Sequence, residues 1–190
     1  MNNLIKLEKV YKIYNPGESE VHALDGISLK INKGEFIAII GKSGSGKSTL
    51  MNILGCLDIP TSGTYLLKDK NISEANDKYL SEIRNKEIGF IFQGFNLIPS
   101  LDSLENVELP LIYRGILKKE RRKLAREALI KVGLESRLHH KPSQMSGGQQ
   151  QRVAIARAIA SSPSIILADE PTGNLDSKSG DDIIKILTEL

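Results

Sequence analysis

Polar and apolar positions alternate from the start of the chain. Ile5, Leu7 and Val10 fall on one side and Leu4, Lys6 and Glu8 on the other, with a slip at Lys9, which predicts a half-buried strand. Asn15-Pro16-Gly17 predicts a turn. Ile27–Ile31 alternates again, and Asn32-Lys33-Gly34 reads as a hairpin turn leading into Phe36–Ile40. Phe36–Ile40 is a continuous apolar run that suits a strand buried on both faces, as in a parallel sheet covered by helices. Ser48–Leu57 predicts a helix, and Ile88–Phe92 and Ser164–Ala168 predict further short buried strands. Residues 94–161 read as mostly helical. Leu124, Ala125, Ala128, Leu129 and Val132 recur at helical spacing, and Gly147–Ser161 is apolar nearly all round except at Gln149–Arg152 and Arg157. A last helix carries Ile183, Ile184, Ile186, Leu187 and Leu190 behind the acidic pair Asp181-Asp182, which suits a helix N-terminus. The expected architecture is an α/β core with a mainly parallel sheet, antiparallel strands at the start and a helical insertion.

Composition narrows the function classes. The 190 residues are 40% hydrophobic and 26% charged, ordinary for a globular chain and unlike a disordered or collagenous one. The length favours one domain. A net charge of +3 is too mild for bulk electrostatic binding to nucleic acid or membrane, so no nucleic-acid partner is expected. A lone cysteine, Cys56, excludes an intramolecular disulfide. The apolar runs span about five residues against the roughly 20 of a membrane helix. Met1-Asn2-Asn3-Leu4 lacks the plan of a signal peptide, so a cytoplasmic location is the default expectation.

The apolar run 36–40 ends at Gly41-Lys42-Ser43-Gly44-Ser45-Gly46-Lys47-Ser48, which fits G-x-x-x-x-G-K-[ST]. The spacing has a physical reason. Gly41, Gly44 and Gly46 let the backbone around Ser43 and Ser45 fold tightly and turn several N–H groups inward as an anion nest. A helix starting near Gly46 adds its positive dipole end at the same point. Lys47 reaches β- and γ-phosphate oxygens as a point charge, the Ser48 hydroxyl can hold Mg²⁺, and Thr49 can contact the α-phosphate. A nucleoside triphosphate is the expected ligand.

The strand 164–168 ends in Asp169-Glu170. In isolation these are two ordinary acids at a solvated strand end. Beside a phosphate loop, Asp169 would hold Mg²⁺ through water and Glu170 would polarise the attacking water as general base. Ser146-Gly147-Gly148-Gln149 precedes the apolar helix and makes a second anion-ready helix start, or equally a plain helix N-cap. Two such starts and one acid pair suggest that the second site serves a nucleotide held by another subunit. His139-His140 could pair on a metal but reads better as solvated. The basic run Lys118–Lys123 could touch lipid or a membrane partner, with a solvated helix face the simpler reading.

In this order, these residues resemble the ATP-binding subunit of an ABC transporter across essentially the whole chain. Gly41–Ser48 resembles its Walker A, Ser146–Gln149 its LSGGQ signature with Met145 in place of leucine, and Ile165–Asp169 its Walker B followed by Glu170. Gln93 resembles the Q-loop glutamine, implied to contact Mg²⁺ and sense the membrane subunit. Asp176, in Asn174-Leu175-Asp176, resembles the D-loop aspartate. Tyr14 sits where the family places an aromatic on adenine; a half-buried strand-end tyrosine is the plain alternative, and Tyr11 falls too early in the strand. Gly55-Cys56-Leu57-Asp58, Phe92–Pro99, Glu105–Pro110 and Gln149–Ala158 are similar to the LolD/MacB-like group. The resemblance implies a P-loop NTPase core over 1–93 and 162–190, with 94–161 as a helical subdomain of a single domain. It implies ATP and Mg²⁺ as ligands, with Lys47, Gln93 and Glu170 in the hydrolytic step. It also implies a head-to-tail homodimer around two ATP that drives an FtsX-like permease from the inner face of the membrane.

One departure stands out. The family's switch histidine follows the helix after the D-loop, and His22, His139 and His140 lie in other segments. The strand carrying it belongs between the Walker A and Walker B strands, so the resemblance predicts a central slot in the sheet and weak turnover by a truncated chain. The alternative is a nucleotide-binding relic or regulatory fragment without hydrolysis.

Overall fold

The computed structural model describes residues 3–17 and 19–190; Met1 and Asn2 of the Met1–Leu4 stretch, and Glu18, lie outside them. The chain divides into two compact units, Met1–Arg84 and Asn85–Leu190.

In the first unit, β1 (Asn3–Tyr14) pairs antiparallel with β2 (Val21–Asn32). After α1 (Lys47–Leu54), β3 (Ser62–Leu67) pairs with the other edge of β1, and β4 (Lys70–Asn71) closes the sheet in the order β2-β1-β3-β4. The slip at Lys9 is a β-bulge. Lys9 has φ +46°, and the register shifts between Leu7 and Val10 against β2 and between Glu8 and Tyr11 against β3. The extra residue moves the inward phase from Ile5 and Leu7 to Val10, so all three stay buried. Gly63 packs on the bulge: a Cβ there would lie 2.2 Å from the Lys9 carbonyl oxygen. Facing residues Tyr65 and Leu67 are buried, as are Leu50, Ile53 and Leu54 of α1, and the Tyr65 hydroxyl donates to the Leu54 carbonyl at 2.9 Å. α2 (Asp77–Glu87) begins in this unit and buries Leu80 and Ile83.

The second unit holds a two-stranded parallel sheet, β5 (Ile88–Ile91) beside β6 (Ile165–Ala168). α3 (Ser103–Tyr113), α4 (Lys118–Lys131) and α5 (Gly147–Ile159) pack around a core of Leu104, Val107, Leu111, Leu129, Val153 and Ile155, and α6 (Ser177–Glu189) adds Ile183. α3 starts at a capping box formed by Asp102 and Glu105. α5 comes close to the sheet at Gly89, where a Cβ would lie 2.5 Å from the Ala158 carbonyl oxygen.

Several expectations are corrected. Phe36–Ile40 is not a buried strand and the preceding turn is not a hairpin turn. Asn32–Glu35 does turn, with the Glu35 N–H on the Asn32 carbonyl, but residues 36–40 join neither sheet among the described residues. Phe36 is 61% exposed and Ile40 93%. An apolar run becomes a buried strand only where neighbours supply hydrogen bonds and covering faces. β6 is likewise buried on one side only: Ile165 is buried while Ile166 and Ala168 are exposed, as period-2 alternation on a two-stranded sheet requires. The polar exception expected along α5 also fails at one position, because Gln151 is completely buried. The helical expectation for 94–161 holds in α3, α4 and α5.

Candidate nucleotide-binding site

The phosphate loop lies in the first unit. Gly44 (φ +79°) and Gly46 (φ +87°) take left-handed conformations, the Ser45 N–H bonds to the Lys42 carbonyl at 3.2 Å, and Gly46 is the N-cap of α1. Lys47 stands in the first turn of α1 and curls over the loop, its Nζ 2.8 Å from the carbonyl oxygens of both Gly41 and Lys42. The ammonium therefore sits where the loop folds round. At Gly46 glycine is required by contact as well as by torsion: a Cβ there would lie 2.3 Å from the Ala23 carbonyl oxygen. Gly46→Ala is expected to lower stability by about 1–3 kcal/mol through strained backbone and steric overlap, read as a shift in the urea midpoint against the parent chain.

Ser48 and Thr49 follow on α1. Tyr14, half-buried at the end of β1, is tied to the segment just past that helix: its hydroxyl donates to Asp58 Oδ2 at 3.0 Å. The loop residues and Tyr14 thus form one group within the first unit.

A second group forms within the second unit. Asp169 is half-buried just past the C-terminal end of β6, its N–H on the Ile91 carbonyl at 2.9 Å. The carboxyl ends of parallel strands are where α/β sheets present ligand-binding groups. Glu170 is exposed and has φ +43°, a left-handed conformation unusual for a residue with a side chain. The turn is tied twice: the Glu170 carbonyl accepts from the Gly173 N–H at 2.9 Å, and the Pro171 carbonyl accepts from Gln151 Nε2 at 2.8 Å. Gln151 Oε1 is buried without a hydrogen-bond partner among the described residues.

Gln93 is exposed beyond β5, with its carbonyl accepting from Asn174 Nδ2 at 2.9 Å. Its side chain lies so near Gly173 that a Cβ there would be 2.6 Å from Nε2. The signature segment opens α5. Ser146 is the N-cap and accepts from the Gln149 N–H at 3.3 Å, while Gln149 Oε1 accepts from the Ser146 N–H at 3.0 Å. Gly147 fits under Leu175 and Phe95, where a Cβ would come within 3.3 Å and 3.6 Å, and Gly148 abuts Ser179. Asp176 caps α6, accepting from the Ser179 N–H at 3.0 Å, and hydrogen bonds from the Ser179 side chain and backbone hold its carboxyl below the usual range. Gln93, Asp169, Glu170, the signature and the 174–176 segment therefore share one unit, and Ser48 and Lys47 belong to the other.

Ser48 in the first unit, and Gln93 and Asp169 in the second, each carry a hard oxygen donor of the kind magnesium takes. Among the described residues no three His, Cys, Asp or Glu side chains cluster to hold a metal by themselves. His139 pairs with Asp102 at 2.9 Å and His140 with Arg137 at 2.7 Å. In the basic run, Arg121 pairs with the buried Glu108 at 3.0 Å while Lys118, Lys119, Arg122 and Lys123 are exposed. Asp58 and Gln151 also carry part of this geometry; each lies in a segment similar to the LolD/MacB-like group, Gly55–Asp58 and Gln149–Ala158, that assigned it no chemical role.

The profile of the ABC transporter family matches residues 24–173. This chain belongs to the ABC transporter family. This ABC ATP-binding chain is 55% identical, over its whole length, to an uncharacterised ABC transporter ATP-binding protein of Thermotoga maritima, of which the match covers 81%. It is 54% identical over 98% of its length to the macrolide export ATP-binding/permease protein MacB of Hyphomonas neptunium, and spans 29% of that much longer protein. Among solved structures it is similar to the ATP-binding cassette MJ0796, described as dimeric and bound to ADP and Pi. The TM-score is 0.85 at 52% identity, over 96% of this chain and 81% of that one. A second neighbour, cbiO1 of Clostridium perfringens, has a TM-score of 0.88 at 32% identity, over 100% of this chain and 74% of that one. The expected P-loop NTPase fold class and the likeness to MacB-type cassettes both hold. No helix of the described residues is long and apolar enough to cross a membrane.

Proposed function

We propose that this chain binds and hydrolyses ATP as the motor subunit of an ABC transporter, within one domain whose core is 1–93 and 162–190 and whose helical part is 94–161. The observation that carries the reading is the phosphate loop, with Lys47 drawn over two left-handed glycines at the head of α1. Backbone N–H groups of Gly41–Lys47 and the Ser43 and Ser45 region bind the β-phosphate, Lys47 the β- and γ-oxygens, Thr49 the α-phosphate, and Tyr14 stacks on adenine. Ser48, Gln93 and Asp169 would hold Mg²⁺, which neutralises charge developing on the phosphates. Glu170 orients and deprotonates the attacking water.

The signature residues Ser146, Gly147, Gly148 and Gln149, with Asp176, serve the nucleotide of a second copy in a head-to-tail homodimer. Support comes from Ser146, exposed at the N-terminus of α5, and from the dimeric state of the similar cassette MJ0796. A ligand that touches both copies joins them only while its γ-phosphate is present. The likeness to MacB-type cassettes supports coupling to an FtsX-like permease, with the chain peripheral on the inner face of the membrane.

Turnover by this chain is slow, because Phe36–Ile40, which leads into the loop, is exposed and joins neither sheet among the described residues. One experiment reads both points: light scattering with MgATP or MgADP, and phosphate release per chain beside the Thermotoga maritima relative. A doubled mass with MgATP only, and a rate at least about 10-fold below the relative, are expected. A monomer under MgATP removes the sandwich, and equal rates remove the slow-turnover reading. A relic that binds without hydrolysing would release no phosphate at all.

A further inference from the structure

At the far end of α1 from the phosphate loop lies a charged group to which none of the family motifs assigns a role. Tyr14 ends β1, and Asp58 stands just past the end of α1, where the N–H groups of Leu57 and Asp58 both bond to the Asn52 carbonyl. Asp58 thus hangs on the same helix that carries the loop at its other end. Its Oδ1 accepts from Lys12 Nζ at 2.6 Å and from the Ile59 N–H at 2.8 Å, and its Oδ2 accepts from the Tyr14 hydroxyl at 3.0 Å. Lys12 Nζ donates again to the Ile59 carbonyl at 2.9 Å and sits 5.0 Å from the centre of the Tyr14 ring. Lys12 is 13% and Asp58 27% exposed at the side chain, so this ion pair is partly desolvated and is not a loose surface pair.

We propose that Asp58 is a positioning residue for nucleotide binding, which with Lys12 fixes the Tyr14 ring as the platform for the base. This rests on the stacking role given to Tyr14 above. A free tyrosine ring turns about two side-chain bonds and loses that freedom when a base stacks on it. Asp58 removes the freedom beforehand, because it fastens the hydroxyl at the far end of the ring to the loop helix. Lys12 covers one face, so the base takes the other. The cation draws electron density through the ring, which favours stacking against an electron-rich purine. Burial and the Asp58 carboxylate both push the Tyr14 hydroxyl above its ordinary range, so it remains a donor. Burial pushes the Asp58 carboxyl up, but the Lys12, Ile59 and Tyr14 donors outweigh it and hold it below the usual carboxylate range.

The test separates base from phosphate. MgATP and inorganic tripolyphosphate with Mg²⁺ are titrated into the chain and into Asp58→Ala, Tyr14→Phe, the double variant and Tyr14→Ala. Asp58→Ala and Tyr14→Phe are each expected to weaken ATP about 5-fold, the lost preorganisation of one side chain, and to leave tripolyphosphate within about 2-fold. The double variant should be no weaker than either single one, since both cut the same link. Tyr14→Ala, which removes the platform, should cost ATP about 10-fold or more. If Tyr14→Ala weakens ATP while Asp58→Ala does not, the positioning role falls alone. Equal loss of ATP and tripolyphosphate in Asp58→Ala also overturns it, because the defect would then lie in the loop. Unchanged ATP affinity in Tyr14→Ala removes the stacking role and this inference together.

Discussion

Lys47→Ala is expected to weaken MgATP binding by about 100-fold or more, measured by titration calorimetry, with the melting midpoint nearly unchanged. The Lys47 ammonium bonds to two carbonyl oxygens of its own loop at 2.8 Å each. Phosphate oxygens carry full charge where those carbonyls carry partial charge, so the exchange is favourable. Hydrogen bonds to charged groups contribute about 1.5–3 kcal/mol each, and two of them account for about 100-fold or more. Alanine is a good helix former in the first turn of α1, so the fold loses little. The glycine nest and helix end remain and set a floor under the affinity. An affinity within about 3-fold of the parent would mean that phosphate is not bound here, and the ATP-driven reading would fall with it.

Much of the loop's surroundings was legible from residue spacing. The alternation of Ile5 and Leu7, broken at Lys9 and resumed at Val10, is a bulge written in sequence, since one inserted residue shifts the inward phase by one. Gly46 was legible too, because a left-handed residue pressed on the Ala23 carbonyl leaves no room for a Cβ. Other elements were not. The segment Ser62–Leu67 is short and half polar, and it forms a strand because the free edge of β1 pairs with it. Helix α2 buries only Leu80 and Ile83, too sparse an apolar stripe to stand out from a polar run. Phe36–Ile40 misled in the opposite sense: its pattern states a preference for burial that only neighbouring strands can satisfy. Gln151 reads as a surface residue among Gln149–Arg152, yet it turns inward because the Pro171 carbonyl needs a donor. Long-range partners of this kind leave no periodic trace.

That buried amide bears on the second large effect. Glu170→Gln is expected to slow hydrolysis by about 100- to 10,000-fold while ATP affinity stays within about 3-fold, because a general base contributes that much to the rate and little to binding. The glutamate backbone is held in its left-handed conformation by the Gly173 N–H on its own carbonyl and by Gln151 on the next one. Neither bond involves the carboxylate. The side chain is exposed and makes no hydrogen bond or ion pair among the described residues, so an amide of the same shape leaves the turn intact. Single-turnover phosphate release with protein in excess over MgATP measures the chemical step even where the parent rate is slow. Light scattering on the same samples should show the variant persisting as a dimer after the parent has returned to monomer, since in the variant the γ-phosphate that bridges two copies is retained. Unchanged phosphate release would take the general-base role from Glu170. Release that fell together with ATP affinity would place its carboxylate in binding and leave the water-activating step to another group.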